Sequence, residues 1–375
     1  MSRRYLAGFV QDGLFNPLVA PTPSGYLYNL FSWGNNYYGQ LGLGNITKYS
    51  SPKQVGSLTT WSNTTAGGYH TLATKTDGSL WSWGNNNYGQ LGLGNTTSYS
   101  SPTRVGSLTT WSNITAGYYH TIATKTDGTL WSWGYNNYGQ LGLGNITKYS
   151  SPTRVGSLTT WLNITAGGYH TIATKTDGSL WSWGKNAEGQ LGLGNTTSYS
   201  SPNQVGLLTT WLKITAGSYH TLATKTDGSL WSWGNNNYGQ LGLGNTTSYS
   251  SPTRVGSLTT WLNITAGYNY TLATMTDGTL WSWGNNVLGQ LGLGNITHYS
   301  SPKQVGTLTT WLNITAGEFH TIATKTDGTL WSWGYNNNGQ LGLGNITSYS
   351  SPKQVGTLTT WLNIAAGSYH IIALG

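Results

Sequence analysis

Short stretches of apolar and β-branched residues, separated by glycine-rich turns, recur along the whole chain. In one copy they are "LNITAG" (162–167), "HTIATKT" (170–176) and "SLWSWG" (179–184), with Asp177-Gly178 between the last two. Apolar residues do not recur at the spacing of three and four that marks an amphipathic helix, and Asp-Gly is a strong hairpin signal. The pattern therefore predicts three consecutive antiparallel strands. Pro202 is predicted to open a fourth strand around "QVGLL" (204–208), because proline is tolerated at the first position of an edge strand.

The same unit returns every 50 residues. The word "SWG" ends at seven glycines, from Gly34 to Gly334, and the "AG" of the repeat ends at seven more, from Gly67 to Gly367. Four-stranded units repeated four to eight times form a β-propeller, which closes radially and so protects its sheet edges. The sequence predicts an all-β fold: a seven-bladed β-propeller of four-stranded blades.

The "SWG" series begins before the "AG" series, at Gly34, and ends before it, at Gly334. This offset predicts how the ring closes. The C-terminal segment 362–375 contains only the first two strands of a blade, whereas residues 25–34 and 52–58 supply the third and fourth. We expect a composite blade built from both termini, in a propeller domain spanning 25–375. Residues 1–24 contain Pro17, Pro21 and Pro23 and are predicted to be an extended N-terminal arm that docks to a larger assembly.

The third strand carries the aromatic residues of the repeat. Trp81 and Trp83 are expected on one sheet face, with Leu80 and Ser82 on the other. Such aromatic side chains would fill the space between neighbouring blades, and the glycines that follow would permit close approach of the backbone. Most of the repeated phrase is therefore predicted to be structural.

The words "AGxxHTxA" and "DGxLWSWGxNxxGQLG", with the proline and valine that follow, resemble the regulator of chromosome condensation repeat. This resemblance covers about residues 25–375 and implies a seven-bladed propeller. The founding activity of that family is guanine nucleotide exchange on a small nuclear GTPase, together with chromatin binding. In members with that role a wedge inserted between strands contributes to exchange. The constant period of 50 leaves no room for an insertion here.

Composition narrows the possible classes of protein. Only 7% of the 375 residues are charged, cysteine is absent, and the formal net charge is +8. No apolar run reaches the roughly 18 residues of a membrane helix. The apolar stretch in "MSRRYLAGFVQDG" is too short for a signal core, so we expect no export signal and no membrane insertion. The location, virion surface or cytoplasm, stays open.

The sequence contains few candidate catalytic or metal-binding residues. Histidine recurs at one position, at His70, His120, His170, His220, His320 and His370, with Tyr270 in the seventh copy. Equivalent positions on adjacent sheets are expected to lie too far apart to share an ion, so these histidines are predicted to be structural and hydrogen-bonded within their blades. Most acids belong to Asp-Gly turns, and no paired carboxylates suggest an acid–base dyad. We predict no enzyme activity, no metal and no cofactor.

The repeats differ most at two places: the pair after "AG" and the four residues after "SWG". Antiparallel order puts both on one end of each blade, opposite the invariant Asp-Gly turn. Tyrosine and asparagine dominate there, a composition typical of adaptable recognition surfaces. Neutral drift in exposed loops is the alternative. The predicted partner-binding face comprises Tyr38, Tyr69, Tyr119, Tyr138, Tyr169, Lys185, Glu188, Tyr219, Tyr238, Glu318, Phe319 and Tyr369.

A basic residue is predicted in the outermost strand of six blades. These residues are Lys53, Arg104, Arg154, Arg254, Lys303 and Lys353. The favoured interpretation is charge that prevents edge-to-edge aggregation, with a girdle for anionic surfaces as the alternative.

Together these features predict a non-catalytic interaction or adhesion scaffold with a protein or cell-surface partner. A short arm before a repeated head also resembles the organisation of bacteriophage virion appendage or decoration proteins. The alternative is an exchange factor or chromatin-binding regulator. No specific nucleic-acid partner is expected, because no basic tail is present.

Overall fold

Seven antiparallel sheets of four strands each form a ring in residues 28–375, the part of the chain that the computed structural model describes. The seven-bladed propeller predicted from the repeats is confirmed. The predicted arm, residues 1–24, lies outside the described residues. Within residues 28–375, no helix is long and apolar enough to span a bilayer.

Each blade runs from an innermost strand beside the ring axis to an outermost strand at the rim. The innermost strands are β3 (Trp61–Ala66), β7 (Trp111–Ala116), β11 (Trp161–Ala166), β15 (Trp211–Ala216), β19 (Trp261–Ala266), β23 (Trp311–Ala316) and β27 (Asn363–Ala366). The second strands are β4 (His70–Lys75), β8 (His120–Lys125), β12 (His170–Lys175), β16 (His220–Lys225), β20 (Tyr270–Met275), β24 (His320–Lys325) and β28 (His370–Leu374).

The aromatic word of the repeat forms the third strand of every blade, and the outermost strand follows the glycine-rich loop. The third strands are β1 (Leu30–Gly34), β5 (Leu80–Gly84), β9 (Leu130–Gly134), β13 (Leu180–Gly184), β17 (Leu230–Gly234), β21 (Leu280–Gly284) and β25 (Leu330–Gly334). The outermost strands are β2 (Tyr49–Gln54), β6 (Tyr99–Arg104), β10 (Tyr149–Arg154), β14 (Tyr199–Gln204), β18 (Tyr249–Arg254), β22 (Tyr299–Gln304) and β26 (Tyr349–Gln354).

The closing blade combines both ends of the described chain, in the order β2-β1-β28-β27. Strand β1 pairs antiparallel with β28, from Leu30 opposite Leu374 to Gly34 opposite His370. The prediction of a composite blade is confirmed. Because the two halves of this blade are joined only by noncovalent contacts, its integrity depends on the packing of the whole ring.

The predicted position of the fourth strand is wrong. The outermost strand of the third blade is Tyr199–Gln204, so Pro202 lies within it and "QVGLL" mostly follows it. Strands β13 and β14 pair through an irregularity between Ser182 and Gly184. A proline is tolerated there because the strand lies at the sheet edge and its pairing is interrupted.

The core lies between blades, as the alternation of the third strand predicts. Trp81 and Trp83 pack in a cluster with Trp61, whereas Leu80 packs in the next cluster along the ring. The buried Trp83 ring meets Trp61 at 6.1 Å in an edge-to-face arrangement, which aromatic pairs prefer. Each interface thus buries aromatic area from one side and aliphatic area from the other.

The glycine-rich loop after the third strand links each blade to the next by hydrogen bonds. Trp83 Nε1 donates a hydrogen bond to the Gln40 carbonyl of the preceding loop at 3.0 Å, and Gly44 N donates to Ser100 O at 2.8 Å. Gly42 approaches the same tryptophan with a φ of +72°, and a Cβ atom there would lie 2.7 Å from Trp83 Nε1. This contact explains why the loop requires glycine at that position.

Five of the six recurring histidines also join blades, which corrects the prediction that they bond within a blade. His320 does not, because Ile371 stands where the corresponding threonine would be. His70 Nε2 lies 3.1 Å from Thr121 Oγ1 in the next blade. The corresponding Thr71 hydroxyl donates to Gln40 O, so its oxygen accepts a hydrogen bond from His370 Nε2 at 3.0 Å. Each of the six histidines is fully buried, and burial lowers the pKa of each imidazole to about 3. They are neutral structural groups near pH 7.

Candidate binding face

The two variable segments of the repeat meet at one end of the ring. The turn before His70 is closed by a hydrogen bond from Gly67 N to His70 O, and the loop after Gly84 is fixed by one from Asn85 N to Tyr69 O. The invariant Asp-Gly turn lies at the opposite end, where Gly78 O accepts from Trp111 N at the start of β7. We call the end formed by these turns and loops the tyrosine face, defined by the twelve predicted site residues together with Tyr88, Tyr118, Tyr135 and Tyr268.

Aromatic side chains from neighbouring blades contact each other across the tyrosine face. Tyr69 lies 5.5 Å from Tyr38, 6.2 Å from Tyr119 and 6.3 Å from Tyr369, measured between ring centroids. Each ring is partly buried and is carried on a turn that the strands hold. The rings therefore form a continuous, preorganised aromatic surface on this side of the face.

The network continues from Tyr119 through Tyr118 to Tyr169, and a second group of contacting rings lies beyond it. Tyr169 contacts Tyr138 at 5.6 Å and Tyr118 at 5.5 Å. Further round, Tyr268 links Tyr219 at 5.5 Å to Phe319 at 5.4 Å.

Tyr238 departs from the predicted grouping. Its ring packs against His298 at 5.3 Å, towards the outer part of the loop. It is 38% exposed, as is Tyr138, which does contact the ring of aromatic residues. The structure thus brings most of the predicted aromatic residues together but leaves Tyr238 beside a different neighbour.

The charged residues of the predicted site occupy distinct places. Lys185 Nζ lies over three tyrosine rings, 5.3 Å from the centroid of Tyr138, 5.8 Å from that of Tyr169 and 5.1 Å from that of Tyr219. This geometry is a cation–π arrangement. Glu188 accepts a hydrogen bond from Asn235 Nδ2 at 2.8 Å in the next blade. Both charges are therefore engaged with neighbours on the face.

Glu318 lies nearer the ring axis. It is partly buried, and loss of solvation raises the pKa of its carboxyl group, while hydrogen bonds from Tyr369 and Ser368 lower it. Burial likewise raises the pKa of Tyr69 to about 12, with the charge of Glu318 as the next contribution. The Tyr69 phenol is thus protonated near pH 7 and can donate or accept hydrogen bonds.

Sequence reasoning missed four aromatic members of the face. Tyr118 and Tyr268 belong to the variable pairs after "AG", and Tyr88 and Tyr135 follow "SWG". Tyr118 OH lies 2.6 Å from Ser218 Oγ, across the axial opening. Their variability was visible in the repeats, but only the structure shows that their rings join the predicted ones.

Lys213, which the sequence analysis also did not single out, lies at the opposite mouth of the axial channel. Asparagine occupies one position of the innermost strand in six blades, and Lys213 replaces it in the seventh. This mouth is a cavity of about 620 Å³ lined by the innermost strands. Lys213 Nζ donates to Leu262 O and to Asn263 Oδ1, the latter at 3.0 Å, and burial lowers the pKa of its ammonium group to about 8.

Most acidic side chains within residues 28–375 make hydrogen bonds inside turns. In the part of the chain that the structure describes, no three His, Asp or Glu side chains are grouped closely enough to hold a metal ion. The Asp-Gly carboxylates serve their turns: Asp127 Oδ1 accepts from Thr129 N at 3.0 Å and from Thr129 Oγ1 at 2.6 Å. The predicted basic residues lie on the outermost strands at the rim, where Arg104 donates to Ser107 O.

The fold and the site together define a class: a closed seven-bladed propeller whose distinguishing side chains are carried by loops at one end. The chain belongs to the regulator of chromosome condensation (RCC1) repeat family. The family model matches seven segments, at residues 29–74, 77–124, 127–174, 177–224, 227–274, 277–324 and 327–374. A second model of the same repeat matches six segments between residues 61 and 340. The resemblance seen in the sequence is confirmed.

Solved structures of similar propellers come from human and yeast proteins. Human WBSCR16 is 22% identical with a TM-score of 0.84, and the match covers 93% of this chain and 98% of that one. Prp20p of Saccharomyces cerevisiae, described with its binding properties to Gsp1p and histones, is 21% identical with a TM-score of 0.86, covering 98% and 96%. At this identity the matches show a shared fold. No curated protein matched the sequence.

Proposed function

We propose that this protein is a non-catalytic interaction or adhesion scaffold that binds a protein or cell-surface partner through the tyrosine face. The preorganised aromatic surface carries the proposal: it consists of two groups of contacting rings, with Lys185 between them over Tyr169 and Tyr219. Its rings are partly exposed yet packed against each other, so a partner can bury them with little loss of side-chain entropy. Tyrosine is also enriched among residues that dominate binding energies.

Paired sets of substitutions test this proposal. Replacing Tyr119, Tyr169 and Tyr219 with serine should weaken attachment to the partner or host surface while lowering the melting temperature little. Replacing Asp127, Asp177 and Asp227 with alanine removes hydrogen bonds within turns at the opposite end, so it should lower stability without a specific binding defect.

Attachment of labelled protein and the melting temperature are measured for both sets. If both reduce attachment equally per degree of lost stability, the variable face reflects drift and the proposal fails.

A virion surface or appendage is the setting that we propose for this scaffold. Its support is the near-perfect repetition of the head, whose seven units keep one 50-residue period. Immunogold electron microscopy of purified particles and of producing cells tests the location. Label on the particle surface would support the proposal, whereas label confined to the cell interior would contradict it.

Nucleotide exchange or chromatin binding is the second candidate function, favoured by the likeness to Prp20p over almost the whole chain. The unvarying repeat length argues against exchange, because no insertion extends from any blade between residues 34 and 334. Release of a fluorescent guanine nucleotide from a small nuclear GTPase is the assay. Acceleration by catalytic amounts of this protein, or tight duplex DNA binding at physiological salt, would replace our proposal with this one.

A further inference from the structure

The axial opening of the tyrosine face is a recess of about 110 Å³ lined by the seven "AG" turns. One position after the glycine is occupied in turn by Gly68, Tyr118, Gly168, Ser218, Tyr268, Glu318 and Ser368. Glu318 is therefore the one charged residue among those that line this recess. Its place is set by the fold, since Tyr268 N donates to Glu318 O at 3.3 Å.

Aromatic residues surround this carboxylate. Tyr118 and Tyr268 line the recess with it, and Tyr268 packs against Phe319. The charge of Glu318 contributes to the raised pKa of Tyr69, Tyr118, Tyr119, Tyr219 and Tyr369. Together with Tyr268, these phenols belong to five different blades, so the carboxylate lies centrally among them.

The carboxylate has hydroxyl partners but no cation among the groups that shift its pKa. Those groups are Tyr369 and Ser368, and loss of solvation is the largest contribution. A partly buried carboxylate is stabilised most by a positive charge at short range. The recess therefore favours a cation over an anion or a neutral group.

The same face already holds ammonium groups over tyrosine rings. Lys185 Nζ lies over Tyr138, Tyr169 and Tyr219, and Lys148 Nζ lies 4.9 Å from the centroid of Tyr88 and 5.2 Å from that of Tyr135. These contacts show that pairs of rings from adjacent loops are spaced to accept a cation between them. The central recess combines such rings with a carboxylate.

We propose that this recess binds an arginine side chain of the protein partner, inserted along the ring axis. Its guanidinium group pairs with Glu318 and stacks on the surrounding tyrosines, as planar guanidinium groups do. The recess has room for several water molecules, and so for a head group of that size. The inference rests on the proposed function and names the chemistry that the partner must present.

The test titrates the intact protein, carrying ¹³C-labelled tyrosine rings, with N-acetyl-arginine amide and separately with its neutral citrulline analogue. We expect shifts of tyrosine signals near the axis with arginine, at a dissociation constant on the order of 1 mM. Glu318→Gln should weaken binding about tenfold, because a charge-assisted hydrogen bond is lost. Lys353→Gln, which removes a positive charge from an outermost strand at the rim, should leave binding unchanged.

Glu318→Ser is the matched folding control, because serine occupies the equivalent position at Ser218 and Ser368. It should keep the wild-type melting temperature and lose binding as Glu318→Gln does. Equal binding of the citrulline analogue, absence of shifts at 50 mM arginine amide, or unchanged affinity in both Glu318 variants would overturn the inference. If that happens while the tyrosine-to-serine variants still lose partner attachment, the proposed function stands and only the arginine recess fails.

Discussion

Acid should unfold this protein near pH 5, because six histidines are buried in the neutral form. Each has a folded-state pKa of about 3, lowered first by burial. The ordinary value in an unfolded chain is about 6.5. Only one ring nitrogen of His70 has a hydrogen-bond partner, and Nδ1 has none, so a second proton would be placed in a site without an acceptor.

The sign and size follow from linkage. As the pH falls through about 6.5, the histidines bind protons in the unfolded chain but not in the folded chain. The free energy of unfolding is therefore highest above that pH and falls between about pH 6.5 and 3. At pH 5 each histidine has lowered the free energy of unfolding by about 2 kcal/mol, and the six together by about 12 kcal/mol. Proteins are typically stable by about 5–15 kcal/mol, so unfolding is expected near pH 5.

Denaturant titrations at pH 7, 6 and 5.5 measure this dependence as the free energy of unfolding. The expected slope is about 8 kcal/mol per pH unit below pH 6. His220→Tyr is the matched variant, because Tyr270 already fills the equivalent buried position in the next blade. It should reduce the slope by about one sixth. A free energy of unfolding that changes by less than about 2 kcal/mol between pH 7 and 5.5 would refute the reasoning.

Three further perturbations have defined outcomes. Deleting residues 363–375 removes β27 and β28, including the fully buried Ile371, Ile372 and Leu374. Burial of each such side chain stabilises the fold by about 1.5–3 kcal/mol, so the deletion should abolish the cooperative melting transition. An unchanged melting temperature would show that the ring does not depend on closure. Gly92→Ala should destabilise by about 1–3 kcal/mol more than Gly106→Ala, because both have positive φ but only the former places a Cβ atom 2.8 Å from Trp133 Nε1; equal melting temperatures would contradict the contact. Burial lowers the pKa of Lys213 to about 8 in the folded protein, so the cost of burying its charge disappears as the pH rises. Wild-type stability should therefore rise relative to Lys213→Asn between pH 8 and 10. A constant difference in the free energy of unfolding would count against burial of the ammonium group.

The arrangement of charge along the ring axis follows from single departures in an otherwise regular repeat. Glu318 lies at the mouth within the tyrosine face, and Lys213 lies at the opposite mouth. Each occupies a position where most other blades carry a neutral residue. A perfect seven-fold ring would present identical sites on every blade, whereas these substitutions make one blade differ from the others at each mouth.

The sequence alone determined the strand order within each blade, the number of blades and the composite closure. These features depend on short-range signals: the Asp-Gly turn, the 50-residue period and the offset between the terminal segments. It did not place the outermost strand, because "YSSPNQ" (199–204) has little apolar alternation and its position is decided by pairing with β13. Its serines and proline resemble a loop until a neighbouring strand is present.

Only the tertiary structure decided which repeats touch. The bond between His70 and Thr121 joins residues one blade apart, and Tyr118 meets Ser218 two blades away. No local pattern encodes such pairs, because the distance between equivalent positions is fixed by the curvature of the closed ring. For the same reason the variable residues could be assigned to one face from strand order, but the central position of Glu318 among aromatic rings from five blades emerges only when all seven turns converge on one axis.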